Sequence, residues 1–228
     1  MTLLAEKNIV IAIDGPAGAG KSTVAKALAA RLNFSYIDTG AMYRALTLKA
    51  LRDKINLENE AQLVKLAKQT SIDLQGNPQS GLKVMLDGED VSKEIRTIEV
   101  TNNTFYVART PQVREVLVTW QRAIGQRKSI VMEGRDIGTV VFPKATYKFY
   151  LDANVEERSR RRIEELKAKG KLVDAQKLTQ ELQERDQKDF TRSVGPLKQA
   201  EDAVYMDTTF WSIDENVSQI LKYIQKHG

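Results

Sequence analysis

The chain has no cysteine among its 228 residues. Disulfides, thiolate metal sites and thiol nucleophiles are therefore excluded. Histidine is almost missing as well: the single one, His227, stands beside the C-terminus. A His–carboxylate triad or a zinc site built on several imidazoles cannot be assembled from it. Long apolar runs are also lacking. The longest, Ile9–Ile13, falls far short of the roughly 20 residues a membrane-spanning helix needs. Ahead of Glu6 and Lys7 stand only Leu3-Leu4-Ala5, so no secretory signal is expected, and the chain is read as cytoplasmic with no membrane partner. Neither charge sign dominates: 35 basic residues face 30 acidic ones, for a net charge of +5. That excess suits phosphate-bearing ligands without requiring nucleic acid. What remains for chemistry is carboxylates, lysine, arginine, hydroxyls and backbone amides. With 42% hydrophobic residues the chain can build a core, and its length suggests one core with insertions.

The pattern along the chain is α/β. Asn8–Ile13 reads as a buried parallel strand, because its β-branched residues run without alternation. A glycine-rich turn, Gly15–Gly20, leads into a helix with Val24, Leu28 and Leu32 on one face, and Ser35–Ile37 reads as a second strand. This is one βαβ unit. A helix is expected over Tyr43–Arg52 and another over 61–68. Short strands at Ile72–Leu74 and Leu82–Leu86, divided by Gly76, Asn77, Pro78 and Gly81 and followed by Asp87-Gly88, read as an antiparallel insertion. Pro111 opens a strong amphipathic helix that Gly125 closes. Further strands are expected at Ile130–Met132, Tyr147–Leu151 and Ala203–Met206. Val155–Arg192 reads as a charged helical hairpin broken near Gly170. Asn154 and Glu157 suggest a capping box there, and Glu156/Arg160 and Glu157/Arg161 suggest i,i+4 pairs. A last helix carries Ile213, Val217, Ile220, Leu221 and Ile224.

Gly15-Pro16-Ala17-Gly18-Ala19-Gly20-Lys21-Ser22 matches the phosphate-binding loop pattern, followed by Thr23. Its glycines let backbone amides curl around an oxyanion, and the helix starting near Gly20 points its positive end at the same group. Lys21 would place a charge on the transferred phosphoryl group and the Ser22 hydroxyl would ligate Mg²⁺, which implies ATP with Mg²⁺. The strand before the loop and the helix after it are the context such a loop requires. The acceptor must be read elsewhere. Asp38–Arg44 follows the second strand and Gly134-Arg135-Asp136 follows the third, while Arg158, Arg160, Arg161, Arg162, Arg185, Asp189 and Arg192 lie in the charged hairpin. Arginine forks grip phosphate. A surface ion pair is the ordinary role of any one of them, but several beside a phosphate loop point to an acceptor that is itself a phosphate. The glutamates interleaved with Arg160–Arg162 weigh against a nucleic-acid patch.

Taken together, Ile13–Thr23, Asp38–Arg44, Asp87–Ser92 with Ile95-Arg96, Val113–Glu115, Glu133–Pro143 and Glu184–Asp186 to Arg192 resemble the bacterial cytidylate kinase family along essentially the whole chain. The resemblance implies a five-stranded parallel P-loop core over 1–38, 109–153 and 193–228. It implies a monophosphate-binding domain over 39–108 with an antiparallel insertion, and a small lid over 154–192. The implied reaction moves the γ-phosphoryl of ATP to CMP or dCMP. Thr39, Arg44, Arg135 and Arg192 would hold the acceptor phosphate. Tyr43, Arg185 and Asp189 would lie around the sugar. Arg114 and Asp136 would read the cytosine edge, and Arg158 and Arg162 would close over the transferring group. Where the family is expected to carry a serine at the base pocket, this chain has Phe105 with Thr104 beside it, and Thr104 is the candidate for that contact. A monomer is expected. Two other readings of the loop stay open: a kinase with an alcohol acceptor, of the shikimate-kinase type, and a non-catalytic module that binds nucleic acid.

Overall fold

The computed structural model describes residues 8–75, 82–168, 170 and 172–228. The early leucine segment and the Gly76–Gly81 turn lie outside them. Five parallel strands form the central sheet in the order β2-β6-β1-β7-β8. They are β1 Val10–Asp14, β2 Ser35–Asp38, β6 Ile130–Gly134, β7 Tyr147–Asp152 and β8 Val204–Asp207. Side chains alternate across the sheet. Ile9, Ile11 and Ile13 face helices α1 (Lys21–Leu32) and α8 (Ile213–His227) through Leu28, Val217 and Ile220. Val10 and Ala12 face the other way, with Met132, Ile37 and Val118 of helix α5 (Pro111–Arg127). Both faces are covered, which is why β1 and β6 are apolar almost without interruption.

Register sets the site. Ile13 pairs with Glu133, and Asp38 pairs with Glu133 from the other side. The carboxyl ends of β1, β2 and β6 therefore finish level, and ligands of open parallel sheets bind at that edge. A second, three-stranded sheet holds β3 (Ile72–Gln75), β4 (Lys83–Leu86) and β5 (Glu89–Asp90), all antiparallel. Asp87 (φ +50) and Gly88 (φ +91) form its tight turn, the left-handed pair that a two-residue hairpin needs. This sheet packs on helix α2 (Thr39–Arg52) through Val84, Leu86 and Ala45. Helix α3 (Glu60–Lys68) closes the lobe through Leu63 and Leu66. The charged hairpin is two helices, α6 Val155–Ala168 and α7 Ala175–Thr191.

The structure differs from the sequence reading at several points, among them helix α5, which runs past Gly125 to Arg127. Helix α2 begins at Thr39, not Tyr43, because the Asp38 side chain caps the Ala41 amide at 2.9 Å. A helix not foreseen, α4 Ile98–Arg109, is capped by Thr97. Its stripe is thin, Val100 and Val107, because Thr101, Thr104 and Ala108 face a cavity and not the core. The Asn154 cap on the Glu157 amide forms, but the Glu157 carboxylate turns to Arg160 and Arg161, so the reciprocal half of the box is missing. Arg160 pairs with Glu157 and Glu164, not with Glu156.

Candidate active site

A cavity of about 1100 Å³ opens at the carboxyl ends of β1, β2 and β6. The phosphate loop forms one wall. Gly15 and Gly20 take positive φ, +147 and +84. A Cβ at Gly15 would overlap the Leu151 carbonyl oxygen, so only glycine lets β1 turn there. The Lys21 ammonium is buried and folds back onto the Pro16 carbonyl at 2.6 Å. Burial, and then the Arg135 charge, hold it far below the ordinary lysine range, at about 7. The Ser22 side chain stands beside Glu133 and Tyr36. Glu133 accepts from the Tyr36 hydroxyl at 2.9 Å, and burial with the nearby Asp38 pushes its carboxyl up.

The opposite wall is cationic. Arg44 donates to Asp38 at 2.8 Å, and its buried Nε has no partner among the described residues. Thr39 donates to the Glu133 carbonyl at 2.8 Å. Arg135 donates to Asp189 at 2.7 Å. Burial alone would raise the Asp189 carboxyl, but Arg135, Arg185 and Arg192 together hold it low. Arg185 makes no ion pair with any described residue, and burial together with Arg135 lowers it to about 10. Arg114 pairs with Asp136, and Arg192 Nη2 stands 3.6 Å from the same carboxylate. The Arg114 guanidinium lies 5.5 Å from the Tyr43 ring centre, and its Nε is another buried donor without a partner. Burial lifts the Tyr43 hydroxyl to about 12.

The fold therefore brings Lys21, Ser22, Thr23, Thr39, Tyr43, Arg44, Thr104, Arg114, Arg135, Asp136, Arg162, Arg185, Asp189 and Arg192 to one cavity. Thr104 donates to the Val100 carbonyl at 2.6 Å, which leaves its oxygen as an acceptor. Phe105 is turned away, under the cations of Arg109 and Lys188. Arg158 is not on the cavity wall. It is buried beneath the phosphate loop, paired with Asp186, and donates to the Ala17 carbonyl at 3.0 Å and the Ala153 carbonyl at 2.9 Å. Its neighbour Arg161 reaches the cavity instead, donating to Thr208. The sequence reading assigned no role to Glu133 or Asp186, and gave Arg161 only its i,i+4 pair with Glu157, which forms. Glu133 was findable, since it is the last charged residue of a strand that must end beside the loop.

A phosphate loop set opposite a lobe of arginines, at the end of a five-stranded parallel sheet, defines a P-loop phosphotransferase. The chain belongs to the cytidylate kinase family, whose model matches residues 11–226. The cytidylate kinase of Desulforamulus reducens is 56% identical over 217 residues, covering 95% of this chain and 96% of the relative. That of Anoxybacillus flavithermus is 53% identical over 221 residues, covering 97% and 98%. A crystal structure of an uncharacterized protein from Eubacterium ventriosum has the same fold at 14% identity, with a TM-score of 0.52 over 96% of this chain and 99% of that one.

Proposed function

We propose that this enzyme transfers the γ-phosphoryl of ATP to CMP or dCMP, giving ADP and CDP or dCDP. One observation carries the choice of acceptor. The three aspartates on the acceptor wall are each engaged by arginine: Asp38 by Arg44, Asp136 by Arg114, Asp189 by Arg135. An alcohol acceptor would need a free base there. A phosphate acceptor is anionic near neutral pH and needs positioning and charge neutralisation instead. Arg44, whose buried Nε has no partner among the described residues, with Arg135 and Arg192 in the same cavity, fits that need.

The amides of Gly15–Ser22 cradle the donor phosphates, and Lys21 leaves the Pro16 carbonyl to meet the transferring group. Arg44, Arg135, Arg192 and Thr39 hold the acceptor phosphate in line. Tyr43, Arg185 and Asp189 flank the sugar. Asp136 accepts from the cytosine amino group, Arg114 donates to the ring edge, and Thr104 lies beside them. The hydroxyl of Ser22 and the carboxylate of Glu133 are hard oxygen donors side by side, which suits Mg²⁺ held by one protein carboxylate and substrate phosphates. When bound, Mg²⁺ neutralises charge on the β- and γ-oxygens. Residues 154–192 act as a lid that brings Arg162 over the phosphates, hinged on Arg158, and residues 39–108 form the monophosphate-binding domain. We read the enzyme as cytoplasmic and monomeric. Among the described residues no helix is long and apolar enough to cross a membrane.

Coupled detection of ADP release tests this. CMP and dCMP should be turned over at least about tenfold better in kcat/KM than UMP, a margin of roughly 1.4 kcal/mol that one mismatched polar contact supplies. Shikimate should give none. Comparable turnover of shikimate, or CMP-independent binding of RNA, would overturn the assignment.

A further inference from the structure

Asp136 occupies the N-cap position of the wide helical turn Ile137–Val141, yet its side chain makes no cap. An aspartate there ordinarily accepts from the first free amides of the turn. Here those amides go to another residue. Ile137 N–H donates to Asp14 Oδ1 at 2.8 Å, and Gly138 N–H donates to Asp14 Oδ2 at 2.7 Å. Asp14 is the last residue of β1, is 5% exposed, and immediately precedes the phosphate loop. Both carboxylate oxygens are used, and both on one turn that is 123 residues away in sequence. The Asp136 carboxylate is thus released from capping and points to Arg114 and Arg192.

We infer that Asp14 is a positioning residue for base selection: by capping the Ile137–Gly138 turn in place of Asp136, it keeps the Asp136 carboxylate in the acceptor site. The inference rests on the cytidylate kinase reading and adds the residue that aims its base contact. The chemistry demands a carboxylate at position 14. An amide side chain offers one good acceptor toward the turn and sets an NH₂ donor against the other N–H. The turn would then compete with Arg114 and Arg192 for the Asp136 carboxylate, which stands at its N-cap, and draw it from the base. Aspartate is also a length that fits, since from the end of β1 its two oxygens reach the Ile137 and Gly138 amides at 2.8 and 2.7 Å.

Asp14→Asn is the test, read with CMP and UMP on the same preparation. The expected result is a KM for CMP raised about tenfold, a kcat for CMP within about threefold, an unchanged KM for UMP, and so a CMP/UMP ratio reduced about tenfold. A second arm combines the change with Asp136→Ala. If Asp14 acts through Asp136, Asp14→Asn should alter the KM for CMP less than twofold in that background. A third arm needs no variant: the Ile137 and Gly138 amides of the unsubstituted enzyme should exchange slowly with solvent, with and without CMP. An unchanged CMP/UMP ratio in Asp14→Asn, additive effects in the double variant, or fast exchange of both amides would each overturn the inference. An Asp14→Asn protein that does not fold leaves the exchange measurement to decide. Equal use of CMP and UMP by the unsubstituted enzyme would instead refute the base reading, and this inference with it.

Discussion

Removal of Asp186 should unfold this protein more than it disables its chemistry. The Arg158 guanidinium is buried beneath the phosphate loop, and Asp186 is its only ion-pair partner among the described residues. The same carboxylate accepts the Ala17 N–H at 3.1 Å, while Arg158 donates to the Ala17 carbonyl. Arg158 stands on α6 and Asp186 on α7, so the pair pins both helices of the hairpin to one residue of the loop. Asp186→Ala strands a buried cation and an amide. Breaking a buried pair from one side costs about 3–5 kcal/mol. For a chain of this size that is a fall in Tm of roughly 6–20 °C. Deleting both partners, as Arg158→Met with Asp186→Leu, removes the uncompensated charge and should cost about 2 kcal/mol less than the single loss. Urea unfolding of the unsubstituted protein, Arg158→Met, Asp186→Leu and the double variant completes a double-mutant cycle, with an expected coupling of at least about 2 kcal/mol. The contrasting idea, with Arg158 closing over the transferring phosphoryl, gives Asp186 no structural duty. Loss of less than about 1 kcal/mol in Asp186→Ala, or strict additivity in the double variant, would refute the clamp.

Two further outcomes are expected. Free Lys21 sits at about 7, so near pH 8 it is mostly neutral, and a bound triphosphate should restore its charge. ATP binding at that pH should take up part of a proton from the buffer, seen as a calorimetric enthalpy that varies with buffer ionisation heat, and the uptake should vanish in Lys21→Met; a buffer-independent enthalpy at pH 8 would contradict it. Arg162→Ala should lower kcat about 10²-fold and change the KM for CMP less than threefold, because Arg162 meets the nucleotides only on closure. Amide exchange over α6 and α7 should slow only when both nucleotides are bound; equal protection in the free enzyme would exclude a closing lid.

The parts of this protein that the sequence determined alone are those whose physics is local. Gly15–Ser22 is a loop because its glycines permit backbone that other residues do not, and the flanking β-branched run and apolar helix face are periodicities of a few residues. The same holds for the Asp87-Gly88 turn and the Pro111 helix. The acceptor site was legible as residue types, an excess of arginine near strand ends, but not as pairings. Arg114 with Asp136 spans 22 residues, Arg158 with Asp186 spans 28, and Asp14 with Ile137 spans 123. No periodicity encodes such distances. They are set when the sheet order β2-β6-β1-β7-β8 brings remote strand ends level. Helix α4 stayed hidden for a related reason: the polar face that blurs its pattern turns toward the cavity, and only the packed chain shows where that cavity lies. Arg158 and Arg162 look alike in sequence, four residues apart on one helix. Burial separates them, placing one under the loop and the other at the mouth of the site, because a guanidinium follows whichever carboxylate or carbonyl the fold puts within its reach.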